Sequence, residues 1–258
     1  FEWQKELFSY AKKIGITIFS TPFDESAVDL LETLDPPAYK ISSFEMTDLP
    51  LIKYIAQKNK PMLISTGLST LEEISETVEI AKTAGCSEIL LFHCISNYPA
   101  DLEDANLLAI KTLMKNFSLP VGLSDHTIDN KAAMISISLG ACAIEKHFIL
   151  NREDGGPDSE FSIEPNGLSN LVQESKLVYK SLGTGNFDRT NKELKNKIFR
   201  RSLYFCKDLK KGETITNDNV RRIRPGYGIP PKHLPDIIGK RINSNVSLGD
   251  SVQWDKIL

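Results

Sequence analysis

Short apolar runs alternate with longer stretches in which apolar residues recur at helical spacing along residues 1–182. The short runs are typical of buried strands, and the periodic stretches are typical of amphipathic helices. Strands and helices that alternate without a break predict a parallel sheet covered by helices. The predicted strands are residues 16–20, 38–45, 61–68 and 87–96, followed by the strands that carry residues 122–126 and 145–147.

Every predicted strand ends in polar residues, and this feature separates two kinds of α/β fold. A doubly wound sheet places its ligand site at one switch point, whereas a (β/α)8 TIM barrel uses the ends of all its strands. The pattern therefore favours the barrel. A closed barrel has eight strands, but the sequence shows six, after a start inside the predicted helix of residues 1–14. We therefore expect that the first two βα units of the barrel are missing from this chain.

The character of the sequence changes near residue 184. Residues 184–197 are polar and contain glycine, as a linker does, and residues 198–258 show short strand signals separated by turns. We predict a barrel domain at residues 1–183, a linker at 184–197 and a small β-rich domain at 198–258.

Capping residues predict where two of the helices begin. Asp24 is a good N-cap for the helix that follows it. Ser69 and Glu72 have the spacing of a capping box, in which each side chain bonds the backbone of the other residue. Both signals agree with the helices that the apolar periodicity predicts.

Composition and charge narrow the possible partners and location. The chain is 41% hydrophobic and 25% charged, with a net charge of −3, which argues against a non-specific nucleic-acid surface. No apolar run approaches the roughly 20 residues that span a membrane, and we expect no signal peptide. Three of the four cysteines lie in or next to apolar strand-like runs and are interpreted as buried thiols. We expect a cytoplasmic protein with no membrane or nucleic-acid partner.

The strongest chemical signal lies at the ends of the last two predicted strands. Ser124 and His126 fall on one face of the first strand, and Glu145 and His147 fall on one face of the second. Consecutive parallel strands end at the same edge, so these side chains are predicted to lie together. Two such histidines are candidate metal ligands, although satisfied core histidines are the usual alternative. His93, at another strand end, is a rival ligand that we interpret as a pocket wall.

Motifs in a fixed order identify a family. STPF, AYKISS-E, ISTG, HC-x-x-x-YP, GLSDHT, EKHF and GPD are followed by KKGE and RPG-x-G. This set resembles the sialic acid synthase family, whose members condense phosphoenolpyruvate (PEP) with an N-acylated amino sugar and carry a C-terminal antifreeze-like, or SAF, domain. GPDSEFS, FRRSLY and RPGYG are more similar to pseudaminic acid synthases, which implies 2,4-diacetamido-2,4,6-trideoxy-L-altrose as the sugar. N-acetylneuraminate and legionaminate synthases are the alternatives within the family.

The resemblance implies roles for particular residues. His126 and His147 match the family's metal ligands, for which Mn²⁺ or Mg²⁺ is expected, although imidazole ligation alone would suit zinc. Glu145 could orient a ligand, transfer a proton or form a buried ion pair with a lysine. The implied PEP cradle, a cation surrounded by hydroxyl donors, consists of Thr21, Lys40, Ser43, Ser65 and Ser124.

Further positions match residues that contact the sugar. They are Glu45, Tyr98 and Asp158, of which Tyr98 and Asp158 join Glu145 as candidate catalytic residues. Arg224 matches an arginine that reaches the sugar in the active site of a partner subunit, which implies a domain-swapped homodimer. The family's first two strands also carry catalytic groups, so we expect this chain to be incomplete as a catalyst.

Three hypotheses outside the family are also compatible with the sequence. The chain could be another metal-dependent PEP or pyruvate aldolase-type barrel. It could be a Schiff-base aldolase built on Lys40 or Lys146. It could also be a non-catalytic protein that binds sugar or a partner through its SAF-like domain.

Overall fold

The computed structural model describes residues 2–258, which divide into two compact units, one ending at Thr184 and the other comprising Gly185–Leu258. The first unit alternates helices and strands as the sequence predicts. In chain order these are α1 Gln4–Ile14, α2 Glu25–Glu32, β1 Tyr39–Ile41, α3 Leu49–Ala56, β2 Met62–Ser65, α4 Leu71–Thr83, β3 Ile89–Cys94, α5 Ala109–Phe117, β4 Val121–Asp125, α6 Lys131–Leu139, β5 Ile144–Lys146 and α7 Pro165–Ser181.

The five strands of the first unit form one parallel sheet in the order β1-β2-β3-β4-β5. Each strand pairs with the next one along the chain, whereas a doubly wound sheet would reverse its order at a switch point. The order is therefore that of a barrel wall. The predicted strand at residues 16–20 contributes a single parallel bridge, from Ser20 to Tyr39.

The sheet is curled. Lys40 on β1 and Glu145 on β5 belong to opposite edges of the sheet, yet Lys40 Nζ lies 3.6 Å from Glu145 Oε1. In a flat sheet four strand intervals would separate these strands by about 19 Å. The two side chains meet because the strands wrap around a common axis, as the barrel prediction requires.

The core lies between the sheet and its helices. Strand register aligns Ile41, Ile64, Leu91 and Val121 in one row, and each is at most 1% exposed. Helix residues such as Ile52 pack in the same cluster. The apolar face of the sheet thus points outward to the helices, which leaves the inward face for polar chemistry.

Local signals set the helix starts, with one correction. Asp24 caps α2 as predicted, and its carboxylate accepts the Ala27 N–H at 2.8 Å. The capping box of α4 is formed by Thr70 and Glu73, so the prediction of Ser69 and Glu72 was wrong by one residue. Ser69 does not cap this helix, because its hydroxyl donates to the Gly67 carbonyl at 3.3 Å instead.

The second unit is small and β-rich, and it has its own apolar core. Strands β6 (Ser202–Phe205) and β7 (Val220–Ile223) pair antiparallel, and isolated antiparallel bridges join other segments of this unit. Leu203, Phe205, Ile215 and Ile242 are buried together in this unit. Its elements are α8 Asn191–Lys195, β6 Ser202–Phe205, β7 Val220–Ile223 and α9 Leu234–Ile237.

The cysteines are free thiols, but they differ in exposure. Cys86 and Cys94 are buried, and Cys206 is partly buried. Cys142 is exposed, so the fully buried thiols are two cysteines rather than the three expected. It precedes β5, which has a neighbour on one side only within the sheet. Within residues 2–258, no helix is long and apolar enough to cross a membrane.

Candidate functional site

Two imidazoles meet at the ends of β4 and β5. The register pairs Ser124 with Glu145 and Asp125 with Lys146, so His126 and His147 come next on their strands. Their ring centroids are 5.2 Å apart. His126 is buried and His147 is half-buried. The alternation of side chains along both strands thus places the two rings together on the inward face.

Each imidazole is held through its Nδ1 atom. His126 Nδ1 lies 2.8 Å from the Ile95 carbonyl oxygen, and His147 Nδ1 lies 3.3 Å from Asp158 Oδ2. Second partners of this kind orient metal-binding histidines, and a cation would then bind at Nε2. Burial acts to lower the pKa of His126, but hydrogen bonds with Cys94 and the Ile95 carbonyl raise that pKa overall. Burial and the charge of His126 lower the pKa of His147.

The two histidines fit a divalent cation as a pair of ligands. Among residues 2–258, no three or more His, Cys, Asp or Glu side chains converge into a preformed metal cage. A cation bound by His126 and His147 would therefore have its other coordination positions filled by water or substrate. Such an open site is typical of catalytic metals rather than of structural ones.

Two aromatic side chains pack around the imidazoles. The Tyr98 ring lies 4.4 Å from that of His126, and the Phe161 ring lies 4.9 Å from that of His147. Phe161 is 3% exposed, whereas Tyr98 is 45% exposed. Sequence reasoning missed Phe161 because it stands alone in a polar loop.

Lys40 is a buried cation on the same inward face. Its Nζ donates to Ser65 Oγ at 2.6 Å and to the Ile41 carbonyl at 3.0 Å, and it lies 3.6 Å from Glu145 Oε1. Burial lowers the pKa of Lys40, and Glu145 offsets part of that effect. A buried ammonium beside hydroxyl groups is suited to bind an anion.

The predicted serines occupy neighbouring positions on this face. Ser124 Oγ donates to Glu145 Oε1 at 2.7 Å, so this serine links the Lys40 region to β5. Ser43 Oγ accepts the Gly67 N–H at 3.0 Å and lies 3.3 Å from Cys94 Sγ. The structure therefore brings Lys40, Ser65, Ser124 and Glu145 into one set of contacts.

The remaining predicted residues lie around or beyond these contacts. Thr21 is half-buried and follows the residue that bridges to β1. The Ser42 hydroxyl donates to the Glu45 carboxylate. Asp158 is exposed beside His147. Arg224 is exposed in the second unit, directly after β7.

His93 does not belong to the imidazole pair and faces away from it. Lys40 Nζ lies over the ring of Phe92 at 5.7 Å, which marks Phe92 as inward-facing. The next residue, His93, therefore faces the helices, where its Nε2 lies 2.8 Å from the Ala105 carbonyl oxygen. The same alternation turns Cys94 inward, which the sequence could have indicated. Burial acts to raise the pKa of Cys94, but hydrogen bonds with His126, Ser43 and Ser96 lower it overall.

Comparisons with known proteins give consistent matches along the chain. The model of the NeuB family matches residues 1–187, and that of the SAF domain matches residues 200–258. Pseudaminic acid synthase of Helicobacter pylori is 39% identical over 257 residues, which are 99% of this chain and 76% of that protein. N,N'-diacetyllegionaminic acid synthase of Campylobacter jejuni is 40% identical over 244 residues, 93% of this chain and 73% of that protein. The crystal structure of the spore coat polysaccharide biosynthesis protein SpsE of Bacillus subtilis matches with a TM-score of 0.68 and 30% identity, covering 100% of this chain and 77% of that one.

Proposed function

This chain belongs to the NeuB family and carries a SAF domain, and from that premise we propose that it condenses PEP with an open-chain N-acetylated amino sugar. C3 of PEP bonds to the aldehyde carbon of the sugar, water adds at C2, and phosphate leaves as its C–O bond breaks. The products are a nonulosonic acid and inorganic phosphate. The observation that carries the proposal is the convergence of a buried ammonium, Lys40, with the strand that bears Glu145 and His147.

Lys40 and the serines form the proposed PEP cradle. The ammonium of Lys40 neutralises the phosphate, and the hydroxyl groups of Ser65 and Ser124 donate to its oxygens or to the carboxylate. Ser43, with the Gly67 N–H bonded to its Oγ, and Thr21 complete the cradle. Support comes from the distance of 2.6 Å between Lys40 Nζ and Ser65 Oγ, which means that the cation and the hydroxyl are neighbours.

His126 and His147 would hold a divalent cation, Mn²⁺ or Mg²⁺. When bound, this cation supplies Lewis-acid polarisation of the sugar aldehyde. The imidazoles hold it, while Tyr98 and Phe161 keep their rings in place. Asp158 orients the His147 ring by accepting from Nδ1.

Glu145 is the proposed proton-transfer group. Its carboxylate accepts from Ser124 and is 37% exposed, so it can reach a bound substrate. Tyr98 and Asp158 contribute hydroxyl and carboxylate contacts to the sugar and its protons, and Glu45 contributes a further sugar contact. Lys146 is not a Schiff-base candidate, because its ammonium is buried in an ion pair with Asp125.

The proposed sugar is 2,4-diacetamido-2,4,6-trideoxy-L-altrose, which would make the product pseudaminic acid. The GPDSEFS, FRRSLY and RPGYG motifs favour this sugar. Sequence identity does not distinguish this sugar from the precursor of legionaminic acid. The relatives that are named for the two products are 39% and 40% identical to this chain. A panel of N-acetylated and bis-acetamido sugars is therefore part of the test.

The proposed assembly is a domain-swapped homodimer in which Arg224 of the partner subunit contacts the N-acyl region of the sugar. Lys and Arg outnumber Asp and Glu about two to one in residues 185–258, whereas acidic residues dominate in residues 1–184. Opposite charges favour the docking of one copy's second unit on another copy's first unit. Arg224→Ala should raise KM for the sugar and leave the affinity for PEP unchanged. A cytoplasmic location, without membrane or nucleic-acid partners, stays a prediction.

PEP binding by Lys40 gives the sharpest test. Calorimetry of Lys40→Met should show a loss of PEP binding of at least about 100-fold, whereas Lys53→Met, which removes an exposed lysine of α3, should bind normally. Turnover is assayed in the intact gene product as phosphate release that requires both PEP and a sugar. Phosphate release without sugar, or equal PEP affinity in both variants, contradicts the proposal. Steady release by residues 1–258 alone would contradict the expectation that they are catalytically incomplete.

A further inference from the structure

Asp125 and Lys146 form an ion pair on the face of the sheet opposite to the two histidines. They are direct partners in the register of β4 and β5, and Lys146 Nζ lies 2.9 Å from Asp125 Oδ2. Their side chains are 1% and 2% exposed. The proposed reaction uses neither group, so the burial of both charges needs another explanation.

The pair is fully hydrogen-bonded. Besides Asp125, Lys146 Nζ donates to the carbonyl groups of Thr127 at 2.7 Å and Asp129 at 3.0 Å, so each ammonium hydrogen has an acceptor. The other carboxylate oxygen of Asp125 accepts from the backbone N–H and the hydroxyl of Thr127, at 2.9 and 2.7 Å. Burial of an ion pair is offset only by such complete pairing, and one role of such pairs is to fix a unique geometry.

These bonds hold the backbone on both sides of the site. His126 lies between Asp125 and Thr127, which are bonded to each other and to Lys146. His147 directly follows Lys146 in the chain. The side-chain bonds between Lys146 and residues 125–129 therefore link the two positions from which the imidazoles project.

We propose that the Asp125–Lys146 pair is a positioning device that sets the separation at which His126 and His147 bind one divalent cation. The inference rests on the proposed metal site and extends it to two residues outside the pocket. The pair acts through the backbone, because its side chains lie on the opposite face of the strands from the rings.

The test titrates the chain with Mn²⁺ alone and follows binding by calorimetry and electron paramagnetic resonance. The double variant Asp125→Asn with Lys146→Met removes both charges together, so no unpaired charge stays buried. Its Mn²⁺ affinity should fall about 10- to 100-fold, as happens when outer partners of metal ligands are changed. Its PEP affinity without metal should stay within about twofold, because the ammonium that holds the phosphate lies on another strand.

Two further variants sharpen the test. Thr127→Val removes one hydroxyl bond to Asp125 and keeps the ion pair. This variant should weaken Mn²⁺ binding less than the double variant does, and it should change the zero-field splitting of the bound ion. If the double variant does not fold, the Mn²⁺ affinity and spectrum of Thr127→Val provide the test. Lys131→Met removes an exposed ion pair with Asp129 in the same loop and should leave Mn²⁺ binding unchanged.

The outcomes separate the two proposals. Unchanged Mn²⁺ affinity and spectrum in the folded Asp125, Lys146 and Thr127 variants, with binding lost in His126→Ala and His147→Ala, overturns the positioning role alone. Full Mn²⁺ binding in the two histidine variants overturns the metal site and the positioning role together.

Discussion

The ammonium of Lys40 and the carboxylate of Glu145 lie 3.6 Å apart, across the hollow of the curled sheet. A phosphate dianion that binds Lys40 must therefore share this cation with Glu145 or displace it. In the proposed reaction Glu145 would therefore compete with PEP for Lys40 during binding and would transfer a proton during turnover.

Glu145→Gln should separate these two effects. Loss of the negative charge should strengthen PEP binding by about threefold to tenfold, on the order of 1 kcal/mol for a partly exposed charge. Turnover should fall by about 100- to 10,000-fold, because the amide cannot transfer a proton. Calorimetry and phosphate release measure the two quantities. Weaker PEP binding in this variant would contradict the competition, and unchanged turnover would remove Glu145 from the chemistry.

PEP affinity should fall with rising pH before an ordinary lysine titrates. Burial lowers the pKa of Lys40 below the usual value of about 10.4, so the ammonium loses its proton and its attraction for phosphate as pH rises through that lowered pKa. In this same window the unfolded chain binds more protons than the folded chain, so Lys40 makes the free energy of unfolding rise with pH.

Calorimetry of PEP binding between about pH 8 and 10.5 checks this prediction. Lys40→Arg keeps its charge throughout that range, so whatever PEP affinity it retains should show no such decline. A decline of equal size in Lys40→Arg would assign the pH effect to another group.

Gly122→Ala should destabilise the sheet next to the site. A Cβ atom at this position would lie 2.6 Å from Cε1 of Phe92 and 2.8 Å from the Ala143 carbonyl oxygen, both closer than real contacts. Overpacking of this kind costs about 1–3 kcal/mol of unfolding free energy. Thermal denaturation should show a lower Tm, and adding Phe92→Leu should restore part of it. An unchanged Tm in the single variant would mean that the Phe92 ring is not held in this place.

Cys142 and Cys86 should differ strongly in reactivity. Cys142 is exposed, whereas burial raises the pKa of the Cys86 thiol and shields it. Alkylation followed by mass spectrometry of the peptides should label Cys142 within minutes and Cys86 only after denaturation. Equal labelling of the two in the folded chain would contradict the burial of Cys86.

The pattern of apolar and polar positions predicted the parallel sheet and the inward faces of β4 and β5. Both depend on the spacing of apolar residues within short segments, which can be seen in the sequence itself. The same rule, applied to β3, would have turned Cys94 inward and His93 outward.

Other features depend on contacts between distant segments, which periodicity does not encode. The packing of Phe161 against His147 and the ion pair of Asp125 with Lys146 are of this kind. The shift of the capping box to Thr70 has a local cause. The hydroxyl of Ser69 donates to the Gly67 carbonyl, and the capping-box motif does not predict this bond. The roles of the PEP cradle, the metal ligands and Arg224 stay predictions.

The two imidazoles, Glu145 and the buried ion pair all come from one contiguous strand–helix–strand segment, which begins at Val121 and ends at His147. Recombination between related genes with both breakpoints outside this segment would therefore transfer both imidazoles together with the Asp125–Lys146 ion pair in one event. A chimera made in this way would take the two proposed metal ligands and Ser124 from the donor and would keep the recipient's Lys40, which is encoded far upstream.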